Sequence, residues 1–354
     1  MLRFDLHRHL EGSHSPRALL TVARAHDIRD PLFFDSATAR FRSEEALAAR
    51  LTMHTAGDPQ DFYGRINLAR AAYVSVAAIA QLAGLALDEV SAESDRVELR
   101  VSLFSMTRTL LARTGDWRAV SPVAFAARAA EILAAVLAAR DAVVARVCKP
   151  LPIRLGLSRT FESEPHYAAL ADAVREQTRA LCGLDILGIV VGPDAEPLQP
   201  ELLAIVARLR RDLPDLTVHA GELEGAASVL RTLDLAPRGI GHGVRSLESP
   251  ALLELLAGRD VTLELCPSSN ALLIPDEVAA LTARAGAPPL VALQRAQVRC
   301  VLGSDDPVIF GTSTQREHSL AAGMGADLRR LEEDARRRWT QITGEAISAT
   351  GSPP

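Results

Sequence analysis

The sequence predicts a (β/α)₈ barrel (TIM barrel) folded as a single domain over residues 1–340, with a lid-like insertion after the first strand. Three observations predict it. Eight short aliphatic, β-rich runs recur along the 354 residues. Helical patterns fill most of the intervals between them. Histidines and carboxylates fall at the C-terminal ends of several runs, where barrel enzymes keep their chemistry. A doubly wound sheet is the less favoured alternative.

The first strand lies in Phe4-Asp5-Leu6-His7-Arg8-His9-Leu10-Glu11-Gly12. Alternate residues of a strand share a face, so His7 and His9 aim at one point while Phe4, Leu6 and Leu10 face away. Ser15-Pro16-Arg17 opens a helix, with proline just inside its start. Residues 31–65 hold Pro31, Gly57-Asp58-Pro59 and Gly64 and read as loop and short helices, a candidate lid. An alanine-rich helix follows over 66–87. Strand two is Arg96–Leu103, with an apolar helix over 121–146. Strand three is Pro152–Ser158, with a helix over 165–182. Strand four is Ile186–Gly192, with a helix over 200–212. Strand five is Leu216–Glu222, with a helix over 224–233. Strand six is Arg238–Gly243, with a helix over 249–258. Strands seven and eight are Val261–Pro267 and Gln297–Asp306. A polar helical tail ends the chain, and 341–354 read as disordered. No linker rich in Pro, Gly or Ser divides the chain.

Composition narrows the function. Net charge is −5, with the charges interspersed. That offers no electrostatic reason to bind nucleic acid or an anionic membrane. The longest uncharged run, Ala71–Leu87, falls short of the ~20 residues a membrane span needs. The four cysteines are scattered without a Cys-X-X-Cys pair. Reduced thiols and a cytoplasmic location are the expectation. Arg3, Asp5 and His7 do not read as a signal peptide. Whether the protein is a monomer or a homo-oligomer is not set by the sequence.

A His-X-His pair alone is common by chance. Here further groups sit at the ends of other strands: His219 and Glu222 on strand five, His242 between glycines on strand six, Asp305-Asp306-Pro307 after strand eight. Three imidazoles and one carboxylate suit Zn²⁺, which lowers the pKa of a bound water toward ~7. Glu222 and His242 remain as acid–base groups. Singly, each has a bland reading: Asp-Asp-Pro as a helix cap, Glu222 as a first-turn carboxylate. His14, His26, His54, His166 and His318 lie in helical or loop segments and read as structural.

At these residues the chain resembles the adenosine deaminase family of the amidohydrolase superfamily. The motifs are His7-Arg8-His9-Leu10-Glu11-Gly12, Val97-Glu98-Leu99-Arg100, His219-Ala220-Gly221-Glu222, Ile240-Gly241-His242-Gly243, Cys266-Pro267-Ser268-Ser269-Asn270 and Ser304-Asp305-Asp306-Pro307. The resemblance implies one Zn²⁺ per subunit, held by His7, His9, His219 and Asp305. It implies that Glu222 handles the proton at purine N1 and that His242 orients and deprotonates the water. It implies that Asp306 helps place the nucleophile and contacts the purine, and that Gly192 meets the purine ring. His9 and Glu11 complete the implied substrate contacts.

The chemistry suits these residue types. Displacing an aromatic amino group needs water added at C6, and protonating N1 makes that carbon a better electrophile. The only lysine, Lys149, precedes strand three. That is the wrong barrel end for the carboxylated lysine of two-metal relatives. Position 11 carries Glu, where nucleoside-specific members carry Asp. The expected activity is zinc-dependent deamination of a small-molecule 6-aminopurine, adenosine first, with adenine and 6-aminodeoxyfutalosine as alternatives. A non-catalytic purine-binding barrel with structural zinc is the rival from another class.

Overall fold

The computed structural model describes residues 1–188, 190 and 194–347. Eight parallel strands run in chain order round one sheet: β1 (Phe4–His9), β2 (Arg96–Val101), β3 (Ile153–Ser158), β4 (Gly183–Leu187), β5 (Leu216–Ala220), β6 (Gly239–His242), β7 (Thr262–Leu265) and β8 (Arg299–Leu302). The seam between β1 and the end of β8 is closed by one residue. The N–H of Asp305 donates to the carbonyl of His7, and its carbonyl accepts from the N–H of His9, both at 2.8 Å. The expected (β/α)₈ barrel is therefore present.

Alternation along each strand sorts side chains between two environments. Outward residues such as Leu155, Leu157, Ile186 and Val218 are buried under the surrounding helices. Each such side chain contributes about 1.5–3 kcal/mol on burial. Inward residues are unusual. Barrel interiors are mostly branched aliphatics, but here Glu98, Arg100, Arg154, Asp185 and Glu264 are fully buried at 0% exposure. Their ion pairs fill the lower half of the barrel.

Several boundaries differ from the sequence reading. Strand four begins and ends earlier than expected, because Asp185 faces inward and hides the alternation of Leu184 and Ile186. Gly192 lies outside the described residues. The helix expected over 66–87 is two helices, Pro59–Ala69 and Val76–Glu93, joined at 114°. Ser75 caps the second, accepting from the N–H of Ala78, a role serine fills better than it fills a helix interior. Helices at Leu103–Leu111, Pro267–Leu273, Pro275–Ala285 and Pro289–Arg295 were not foreseen. The polar tail is an amphipathic helix, Leu328–Thr343, which runs past the boundary at 340. It buries Leu331, Ala335, Arg338, Trp339 and Ile342.

The insertion after β1 forms a two-stranded ribbon (Phe34–Asp35 with Arg40–Phe41) and the helices Glu44–Leu51 and Pro59–Ala69. The second helix stands beside the barrel mouth, with Phe62 stacked on Phe310 at 5.3 Å.

Candidate active site

A cleft opens at the C-terminal ends of the strands, with about 570 Å³ of empty space counted out into its open mouth. Its polar floor is His9, His219, His242, Glu222, Asp305 and Asp306. Phe62, Ile66, Leu187 and Leu273 form apolar walls. Among the residues expected at the site, only Gly192 has no described position.

The structure gathers the four expected metal ligands. His9 Nε2 lies 3.3 Å from His219 Nε2 and 3.3 Å from Asp305 Oδ1. His7 Nε2 lies 3.7 Å from Asp305 Oδ1. Burial is the main cause holding His7 and His9 well below the ordinary histidine pKa, with Arg100 next for His7 and the His219 ring next for His9. Both rings are thus neutral, the form that ligates metal. His7 Nε2 is buried and has no hydrogen-bond partner among the described residues. A buried nitrogen without a partner is costly, and a cation among these donors would satisfy it. The residues present therefore fit a divalent metal.

The far nitrogens of two ligands are pinned. His7 Nδ1 meets Glu264 Oε2 at 3.1 Å, and His219 Nδ1 meets Asp185 Oδ1 at 3.1 Å. Each carboxylate fixes a ring so that Nε2 faces the cluster. Burial alone would raise Asp185, but His219 and Arg100 beside it hold it well below the usual range. Sequence reading missed both carboxylates. Each sits mid-strand, flanked by apolar residues, without any motif cue.

His242 stands next to the cluster, its Nε2 3.5 Å from Glu222 Oε2 and 3.9 Å from Asp305 Oδ2. Its Nδ1 meets the side-chain amide of Asn270 at 3.2 Å, so Nε2 is the atom turned to the cleft. His242 and Asp305 both have left-handed backbone, φ 60° and 61°. Such strain costs about 1–3 kcal/mol per residue and gathers at functional sites. Gly241 lets the rings approach: a Cβ there would lie 2.7 Å from His7 Cε1. Burial, then Asp305 and Glu196 nearby, pushes the Glu222 carboxyl well above its usual pKa.

The turn carrying Glu222 is held by a residue the sequence did not single out. Glu196 is buried, and its Oε1 accepts from the N–H groups of Glu222 and Leu223 at 2.9 Å. Oε1 also accepts from Glu224 at 3.3 Å. Its Oε2 accepts from Gly221 at 2.8 Å and from the Ser228 hydroxyl. No local pattern marks this carboxylate, because its donors lie some 25 residues away.

Three buried atoms of cleft-lining residues remain without hydrogen-bond partners among the described residues: Glu11 Oε2, Asp306 Oδ1 and Arg70 Nε. Glu11 Oε1 accepts from the N–H of Ser102 at 2.9 Å, and Arg70 Nη2 approaches it to 3.9 Å. Among the described residues, Gly188, which follows β4 with φ 81°, lines the cleft. The five histidines read as structural all bond elsewhere, for example His14 to the Tyr73 hydroxyl at 2.7 Å. Lys149 donates to the carbonyl of Ser91 at 2.8 Å, before β3 and away from the cleft.

Comparison with known proteins agrees with this geometry. The family model described as Adenosine deaminase matches residues 3–341. The adenine deaminase of Mesorhizobium japonicum is 45% identical over 109 residues, 30% of this chain and 32% of that protein. The chain thus matches about a third of the length of the curated relatives. The adenine deaminase of Arthrobacter aurescens superposes with a TM-score of 0.71 at 17% identity, covering 96% of this chain and 100% of that one. An amidohydrolase from Burkholderia ambifaria with bound Zn superposes with a TM-score of 0.71 at 16% identity, covering 99% and 87%. At such identities the likeness establishes the barrel. The family match over nearly the whole chain establishes more: this protein belongs to the adenosine deaminase family.

Proposed function

We propose that this protein is a metal-dependent hydrolase that removes the 6-amino group of a purine, with free adenine preferred. The observation that carries the reading is the buried, unpartnered His7 Nε2 beside His9, His219 and Asp305, with the Glu222–His242 pair adjacent. Three nitrogens and a carboxylate oxygen are a zinc donor set. The zinc bound by the Burkholderia ambifaria neighbour supports Zn²⁺ as the ion here. When bound, the ion supplies the Lewis acidity that makes water nucleophilic at neutral pH.

The chain's own residues do the rest. Glu222, whose carboxyl is pushed up by burial and by Asp305 and Glu196 beside it, donates to N1 and makes C6 electrophilic. His242 Nε2 accepts the proton of the water that adds to C6. The Asp306 carboxylate accepts from the added hydroxyl or the purine edge. Collapse of the adduct forms the C6=O bond as the hydroxyl proton passes back to Glu222, and breaks the C6–N bond as the proton held on His242 passes to the amino group; ammonia leaves, and the 6-oxopurine keeps the proton on N1. The apolar walls exclude bulk water and hold the ring flat against the donors.

Adenosine is the expectation from the motifs, but two observations favour the free base. The curated relatives at 45–47% identity are named adenine deaminase. Two buried atoms of cleft-lining residues, the acceptor Glu11 Oε2 and the donor Arg70 Nε, also have no hydrogen-bond partner among the described residues. Unsubstituted adenine offers N9–H beside N3, a donor next to an acceptor, which a nucleoside lacks. The test is kcat/KM for adenine, adenosine and 6-aminodeoxyfutalosine, followed by ultraviolet change and ammonia release. Adenine should lead. A higher value for adenosine would overturn the preference, and no ammonia from any 6-aminopurine would favour the non-catalytic rival.

A further inference from the structure

We propose that Arg338, on the C-terminal helix, is a positioning residue for the metal centre, acting through the floor of the barrel. The proposal rests on the metal reading above.

The path runs partly through hydrogen bonds and partly through ion pairs. Arg338 is fully buried and forks onto Asp215, with Nη1 to Oδ2 at 2.7 Å and Nη2 to Oδ1 at 2.9 Å. Nη2 also donates to the Thr217 hydroxyl at 3.2 Å, and Nε faces Glu264 Oε1 at 3.6 Å. The Thr217 hydroxyl reaches the same oxygen at 3.4 Å. The other oxygen of Glu264 holds His7 Nδ1 at 3.1 Å and is shared with Arg100. Arg100 Nε then meets Asp185 Oδ2 at 3.3 Å, and Asp185 holds His219 Nδ1. One guanidinium from the last helix thus braces the carboxylate that orients the first metal ligand.

The chain is shaped to admit it. A Cβ on Gly239 would lie 2.4 Å from Glu264 Oε1 and 3.1 Å from Arg338 Nη2, so only glycine leaves this passage open. The helix does not need the charge for anchorage, since Trp339 and Ala335 already pack against Phe4, Leu6 and Val301. Replacing a buried ion pair by apolar groups is often neutral or stabilising. A buried arginine here is therefore better explained by what it orients. Among the described residues, the carboxylates of Glu98, Asp185, Asp215 and Glu264 interleave with the guanidinium groups of Arg100, Arg154 and Arg338 beneath the donor cluster. Without Arg338, Glu264 loses a cation on its Oε1 side and is freer to turn from His7.

The test is the full chain with Arg338→Met and Arg338→Lys. Three quantities are measured: Zn²⁺ affinity by chelator competition, the visible spectrum of the Co²⁺ form, and thermal unfolding of the metal-free protein. Arg338→Met should weaken Zn²⁺ binding about 10- to 100-fold, as removal of groups that orient ligands does elsewhere, and should shift the Co²⁺ bands. Arg338→Lys, which keeps charge but loses the fork, should fall between. A Zn²⁺ Kd within about twofold of the parent, with only the melting temperature lowered, would make Arg338 merely structural and overturn the proposal. Should Arg338→Met fail to fold, Arg338→Lys is read by the same criterion. A parent protein that binds no Zn²⁺ at all would instead sink the metal reading itself.

Discussion

Asp305 donates its N–H to the carbonyl of His7 at 2.8 Å. That bond closes the barrel and sets two metal-ligand candidates side by side. The ligands therefore inherit the rigidity of the sheet, and the left-handed backbone of Asp305 is held there by bonds on both flanks.

Glu222→Gln removes the acid at N1 while leaving the donor cluster intact. Turnover should fall about 10²–10⁴-fold, the usual contribution of general acid–base catalysis. Metal content by elemental analysis should not change. Near-normal kcat would exclude the assigned role.

Glu196→Ala leaves four N–H groups of Gly221–Glu224 without their acceptor, two of them, on Gly221 and Glu222, buried. Each unsatisfied group costs about 1–3 kcal/mol, so urea unfolding should show a loss of about 3 kcal/mol or more. Activity should fall as well, because Glu222 rides on that turn. Unchanged stability would mean that the turn is held otherwise.

Glu11→Gln and Arg70→Met each remove one of these unpartnered atoms of cleft-lining residues. Either should lower kcat/KM for adenine about 10- to 100-fold, mainly through KM, if a charged hydrogen bond worth about 1.5–3 kcal/mol is lost. Steady-state kinetics decide the point. Equal kinetics in parent and variants would remove the free-base argument.

Stripping the metal should abolish turnover and lower the melting temperature. Readdition of Zn²⁺ should restore both. At a thousandfold excess over Kd, a ligand stabilises the native state by about 4 kcal/mol. An unchanged melting curve after verified metal removal would argue against a site built by the folded chain.

Acid sensitivity should reside partly in Asp215. Burial would raise its pKa, but Arg154 and Arg338 hold it well below the aspartate range. The unfolded chain then binds the proton more readily than the folded one. This stabilisation is full above an aspartate's ordinary pKa of about 4 and is lost as pH falls toward the lower folded value. In melting scans from pH 6 to 3, Asp215→Asn should start less stable yet lose less on acidification. Parallel curves would assign the acid sensitivity to other groups.

The sequence by itself determined the strand count, the barrel, and the histidines and carboxylates at the strand ends. Those signals are local: alternation, helical spacing and polar residues closing apolar runs. The tertiary structure alone decided what the isolated charges do. Asp185 and Glu264 look misplaced in apolar strands until the closed barrel sets them against His219 and His7. Glu196 looks like a loop residue until it caps a turn on the next strand. Arg338 looks like surface on a polar helix until that helix turns it into the floor. A buried charge is tolerable only with partners, and partners distant in sequence exist only once the chain has closed.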